Sequence, residues 1–150
     1  MKRNAVPVSR SENMRRIRSK NTQPELALRK ALYARGYRYR VHVKSLAGKP
    51  DVVFTRLRVA VFIHGCFWHR HPGCREASTP RSHSDYWEPK LDRNVARDAE
   101  HAAALITADF RVLTIWECQI ERDVNAAVAT IETALGSPRM SRISKPLETA

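Results

Sequence analysis

The stretch Ile63-His64-Gly65-Cys66-Phe67-Trp68-His69-Arg70-His71-Pro72-Gly73-Cys74 constrains this chain more than any other. Its twelve positions hold two cysteines, three histidines and two large aromatics, at the end of an apolar run. Thiolate and imidazole groups at this density are what a tetrahedral zinc site requires. Cys66, His71 and Cys74 supply three ligands within nine residues, with His69 as an alternative to His71. Cys118, at the end of the last predicted strand, is the natural fourth. A closed Cys₃His set has no open position, so the zinc would be structural and would pin a loop poor in apolar residues. The competing reading is that the cysteines are small buried hydrophobes. Two cysteines and a histidine around Pro72-Gly73 argue against it. Three cysteines, an odd number, also suit a metal better than a disulfide framework.

The charge balance points to a polyanion. The chain has 150 residues with 27 Lys/Arg against 15 Asp/Glu, a formal net charge of +12. Residues 1–40 contain twelve of the basic residues and two glutamates, so they carry ten of the twelve net positive charges. A basic arm of this kind is the electrostatic footprint of a nucleic-acid partner. It lacks the sustained apolar face of a membrane-surface helix. No apolar run approaches the roughly 18 residues of a transmembrane helix. The N-terminus has charge but no apolar core of a secretory signal, so a cytoplasmic location is expected. The length suits one domain with a real core. Residues 1–21 form the basic arm, 22–136 the folded domain and 137–150 a polar tail expected to fray.

Thr22-Gln23-Pro24-Glu25 predicts a helix start, with Thr22 as cap and Pro24 in the first turn. Leu26, Leu28, Ala31 and Leu32 continue it and Gly36 ends it. Residues 37–43 alternate as a strand does. Residues 51–54 and 59–63 predict two strands joined by a connection too short for anything but a hairpin. Antiparallel return then brings Asp51 close to Ile63 and His64. Residues 66–89 read as irregular, a length that a metal clip would make tolerable. A helix is predicted from Lys90 to Ala108, with Leu91, Val95, Ala99, Ala102, Ala103 and Ile106 on one side. Residues 111–116 predict a strand and 123–135 a final helix. The fold class is α/β: a mixed central sheet flanked by helices, with a zinc loop.

Pro50-Asp51 opens a strand after a loop, and a carboxylate there can hold magnesium beside phosphate oxygens. Alone, Asp51 would read as a solvated strand-edge residue. His64 and His69 change that, because an imidazole can take a proton from an attacking water. Asp98 is a candidate to orient such an imidazole. The local pattern alone favours a solvated helix carboxylate beside Arg97. Glu25 reads best as a capping-box residue, and second as an acid near the metal. Phe67, Trp68 and Trp87 either wedge between base steps or pack as a small core under the zinc loop.

These residues resemble the very short patch repair endonucleases. The resemblance rests on residues 62–69 with His71 and Cys74, and on Met14-Arg15-Arg16-Ile17-Arg18-Ser19-Lys20-Asn21-Thr22 with Pro24-Glu25. Pro50-Asp51, Asn94-Val95 with Arg97-Asp98, and Trp116-Glu117-Cys118 follow in the expected order. It implies a restriction-endonuclease-like fold and a bacterial, nucleoid-associated enzyme. That enzyme would nick DNA 5′ to the thymine of a T:G mismatch left by deaminated 5-methylcytosine. It implies Asp51 as the Mg²⁺ ligand with the backbone carbonyl of Ile63. His69 becomes the base, oriented by Asp98, with His64 assisting at the phosphate and Glu25 in the outer shell of the metal. Cys66, His71, Cys74 and Cys118 would hold Zn²⁺. Phe67, Trp68 and Trp87 would form the wedge, with Met14 inserting from the other groove and Arg15, Arg16, Arg18 and Lys20 on the DNA. Double-stranded DNA is the implied partner of a monomer, with mismatch-repair proteins and a cytosine-5 methyltransferase as further partners. Two departures stand out. Position 63, often Thr in that family, is Ile63, which preserves a carbonyl ligand but no hydroxyl role. The spacing from His71 to Cys74 is one residue longer than the family form. Two other readings remain: a zinc-stabilised DNA-binding module without catalysis, and a nuclease of the same fold that cuts paired sites.

Overall fold

The computed structural model describes residues 22–136. Met14, Arg15, Arg16, Arg18 and Lys20, with the rest of the arm and the tail, lie outside the described residues. The elements run α1 (Gln23–Ala34), β1 (Arg40–Val41), β2 (Val52–Phe54), β3 (Val59–His64), a 3₁₀ turn (Arg75–Ala77), α2 (Ser84–Thr107), β4 (Arg111–Trp116), α3 (Glu117–Arg122) and α4 (Val124–Leu135). The strands form one sheet in the order β1-β2-β3-β4. β1–β2 and β2–β3 pair antiparallel, whereas β3–β4 pair parallel, so the sheet is mixed.

Helices cover both faces, which is why β2 and β3 are apolar runs rather than alternating ones. On one face Val52, Phe54, Val59 and Val61 meet Leu28 and Leu32 of α1 and Val128 and Ile131 of α4. On the other, Val53, Ala60 and Phe62 meet Leu105 and Phe110. A third, smaller core joins Phe67 to Trp87 and Leu91, with Trp68 packed against it. None of the helices of the described residues is long and apolar enough to cross a membrane.

Three local expectations need correction. The predicted strand 37–43 shortens to Arg40–Val41, and at its far end His42 takes a left-handed φ of 47° and turns the chain out. α2 starts at Ser84, six residues before Lys90, and carries Pro89 inside it. Burial of Trp87 and Leu91 outweighs the backbone hydrogen bond that proline removes. The inner stripe of α2 also differs from the expected one. Leu91 and Ala102 of the expected stripe are buried or half-buried, but Val95, Ala99, Ala103 and Ile106 are exposed, and the face turned inward runs through Trp87, Leu91, Asn94, Asp98, His101 and Leu105. They recur at helical spacing, but their middle is polar, so hydrophobic periodicity reads past it.

The loop between β1 and β2 lies against α2 at Gly48, whose φ is +73°. A Cβ there would stand 2.8 Å from His101. Gly73 has a similar φ of +69° with nothing within 4 Å. Gly48→Ala is therefore expected to lose about 1–3 kcal/mol more than Gly73→Ala. Urea denaturation of the two variants checks this, as an extra fall in midpoint of roughly 1 M for Gly48→Ala.

Candidate active site

The hairpin does what its short connection demands. Val52 pairs with Val61 and Phe54 with Val59, which brings Asp51 back to the end of β3. The Ile63 amide donates to Asp51 Oδ2 at 2.6 Å. An extended residue turns its N–H and C=O to the same neighbouring strand. The Ile63 carbonyl therefore faces the side on which the Asp51 carboxylate lies. Burial pushes the Asp51 carboxyl up to about 6, against the pull of the Ile63 amide, and the nearby Glu25 adds to the rise. Two carboxylates facing one partly buried space are the donor chemistry of a divalent cation site. The hard oxygen set offered by Asp51, Glu25 and the Ile63 carbonyl fits magnesium.

Glu25 departs from the favoured capping role. Its backbone amide is capped, donating to Thr22 Oγ1 at 3.4 Å. Its carboxylate turns inward instead, to His42 Nε2 at 2.5 Å, with Arg29 at 3.7 Å. Glu25 is 3% exposed. His42 had no signal in the sequence beyond its place in an alternating segment.

Across the cleft lie the imidazoles. His69 Nδ1 is 2.6 Å from Asp98 Oδ2. An ionised carboxylate only accepts, so Asp98 selects the tautomer protonated on Nδ1 and leaves the Nε2 lone pair free. Asp98 is thus paired, not the solvated carboxylate that the local pattern favours. Its place on the inner stripe of α2 is the reason. The His64 ring stacks on His69, with centroids 3.8 Å apart and planes 5° off parallel. Burial, and then His69, pull His64 down to about 4, so it is neutral near pH 7. A cleft of about 460 Å³ joins both halves, lined by Glu25, Asp51, Ile63, Trp68, His69 and Asp98 among others. Glu117 also lines it, and burial raises its carboxyl.

The four residues expected to hold zinc assemble beside this cleft. Ligand atoms of Cys66, His71, Cys74 and Cys118 all lie within 4.8 Å of one another. His71 Nδ1 is 3.4 Å from Cys118 Sγ, so His71 stands among the sulfurs, while His69 is engaged by Asp98. Burial pushes the Cys66 thiol up to about 12. Three thiols and an imidazole crowded in this way match a soft, tetrahedral cation. The segment from His71 to Cys74 forms a turn, closed by the Cys74 amide on the His71 carbonyl at 3.2 Å. Arg70 ties the same loop to α2 through Asp92 at 2.8 Å.

The aromatics divide. Phe67 and Trp87 are 4% and 0% exposed and form the core under the loop. Trp68 is half-buried at the cleft rim, with its carbonyl accepting from Asn94 Nδ2 at 3.1 Å.

The family profile described as DNA mismatch endonuclease Vsr matches residues 5–75. A nicking enzyme of Xanthomonas oryzae, V.XorIIP, is 46% identical over 129 residues, which is 86% of this chain and 93% of that protein. The chain belongs to the Vsr family of DNA mismatch endonucleases. The nicking enzyme V.NaeI of Lentzea aerocolonigenes is 47% identical, covering 79% of this chain and 74% of its own. The DNA mismatch endonuclease Vsr of Escherichia coli is 38% identical, over 75% of this chain and 71% of its own.

A Vsr endonuclease must hydrolyse a backbone linkage in DNA, and the residues singled out for that chemistry meet around one cleft. Asp51, Ile63, Glu25, His64, His69 and Asp98 come together from α1, the hairpin, the loop after it and α2. His42, Asn94, His101 and Glu117 join them without having been assigned a role from sequence. Asn94 and Glu117 stand in the motif segments quoted from the sequence, whereas His42 and His101 stand outside them.

Proposed function

We propose that this Vsr endonuclease nicks one strand 5′ to the thymine of a T:G mismatch, with Mg²⁺ at Asp51 and structural Zn²⁺ at Cys66, His71, Cys74 and Cys118. The observation that carries the reading is the meeting of two opposed groups in one cleft. One is the Asp51–Glu25 acid pair. The other is the His69–Asp98 couple, at 2.6 Å. Bound magnesium would supply charge stabilisation at the phosphate oxygens. His69, held by Asp98, presents Nε2 to take a proton from the attacking water. His64, neutral and fixed by its stack on His69, assists by hydrogen bonding to the phosphate. Glu25 sits behind Asp51 as an outer acid. The zinc pins the loop that carries His69, so it fixes the base without entering the chemistry.

The fold reading is restriction-endonuclease-like, supported by the mixed sheet with Asp51 at a hairpin and the helix α2 across it. Trp68 leads the wedge into the base stack, backed by Phe67 and Trp87. The arm of residues 1–21, with Met14, Arg15, Arg16, Arg18 and Lys20, grips the duplex from another side. The activity belongs in the cytoplasm of a bacterium, on chromosomal DNA, acting as a monomer alongside mismatch repair and a cytosine-5 methyltransferase.

End-labelled duplexes with and without one T:G pair, each with and without Mg²⁺, test the reading. Nicking is expected only with the mismatch and the metal together, at the bond 5′ to the thymine. Equal cutting of the paired duplex would favour a restriction-type nuclease. Binding with no cleavage of either duplex would favour a binding module.

A further inference from the structure

Glu25 is buried at the cleft, and within its own helix its carboxylate meets Arg29 at a loose 3.7 Å. A closer partner lies 17 residues away, in His42, whose Nε2 stands 2.5 Å from Glu25 Oε1. The same nitrogen is 3.9 Å from Asp51 Oδ1, too far for a hydrogen bond. The ring is therefore committed to Glu25 and merely adjacent to Asp51. The backbone sets this up. Arg40 pairs with Val53 and Val41 with Val52, and the His42 amide continues the ladder to the Asp51 carbonyl at 3.2 Å. His42 thus stands opposite Asp51 across the strands. Its φ of 47° is a left-handed conformation that an L side chain keeps only where its surroundings hold it. That turn ends β1 and delivers the ring to the acid pair.

We propose that His42 is a positioning residue for the cation site. With its proton on Nε2 it donates to Glu25 and holds that carboxylate beside Asp51, so that the two acids are arranged before the cation arrives. Arg29, at 3.7 Å from the same oxygen, supports Glu25 from its own helix but more loosely. The inference rests on the reading of Asp51 as the cation ligand. Outer partners that orient a ligand shell are worth about ten- to a hundredfold in metal affinity.

The test is Mn²⁺ binding to the full-length, zinc-loaded protein without DNA, followed by the electron paramagnetic resonance of free Mn²⁺. His42→Asn is the informative variant. Asparagine tolerates the left-handed backbone, and its amide is too short to reach Glu25. It is expected to weaken Mn²⁺ binding about ten- to a hundredfold with little change in Tm. His42→Gln, which reaches further and still donates, is expected to return to within about threefold of the native chain. On a Glu25→Gln background, His42→Asn should add no further loss, because coupled residues are not additive. Native Mn²⁺ affinity in His42→Asn overturns the proposal, as does a full, additive loss on the Glu25→Gln background. Asp51→Ala separates the levels. If it loses Mn²⁺ while His42→Asn does not, only the positioning role fails. If Asp51→Ala still binds Mn²⁺ like the native chain, the cation reading fails and takes this inference with it.

Discussion

Alanine at position 51 is expected to lower strand nicking by about three to four orders of magnitude. A metal ion contributes several kcal/mol to transition-state stabilisation, and about 1.4 kcal/mol is a factor of ten. Asp51 is the side chain best placed to hold it, because its second oxygen is fixed by the Ile63 amide at 2.6 Å. Duplex affinity should change little, since the basic arm and the rest of the surface are untouched. Stability should also change little. The variant loses an acceptor for one amide, but it removes a carboxylate whose burial is unfavourable enough to lift it to about 6. Single-turnover nicking of a T:G duplex at saturating protein, beside anisotropy for binding, reads both quantities. Native turnover in this variant would take Asp51 out of the chemistry.

Cys118→Ala is the second large effect, and it falls on folding. Structural zinc contributes an apparent ~10–16 kcal/mol, comparable to the ~5–15 kcal/mol stability of a whole domain. Losing one of four ligands is expected to remove at least about 3 kcal/mol and to lower Tm by roughly 10 °C. Apolar burial holds this part of the loop only weakly, as residues 69–79 are all exposed or half-buried. His71 lies 47 residues from Cys118, and their contact at 3.4 Å, with the stack of His71 on Trp116, ties the loop to the end of β4. Nicking should fall with it, because His69 sits within the pinned segment. Zinc content and thermal melting of Cys118→Ala, His71→Ala and His69→Ala check the ligand set. The first two should lose metal and melt early, while His69→Ala keeps both and loses only turnover. Full zinc in Cys118→Ala would strike it from the set.

Legibility followed the range of the interaction. The Asp51–Ile63 contact could be read because the turn between β2 and β3 is short enough to leave one return path. The Cys₃His cluster could be read because ligand chemistry is carried by residue type, whatever the path of the chain between. Asp98 was harder. It lies on the buried stripe of α2, but that stripe is polar where it faces the cleft, so an apolar period places the helix face wrongly. Glu25 misled because its local motif is a genuine helix start. Its amide takes the cap while its carboxylate serves a partner in another element.

From the order of its residues alone, this chain specified the soft ligands, Asp51 at the hairpin, the imidazoles and the basic arm, and most of the helices and strands that carry them. Only the folded structure decided which ionisable group faces which. It gave Glu25 to His42 across 17 residues and Asp98 to His69 across 29. It also sank Phe67 and Trp87 while leaving Trp68 at the rim. The physical reason is that charge, burial and orientation at such a site depend on contacts between distant elements. A local pattern records the propensity of a segment, and carries nothing of the neighbour that packing later brings against it.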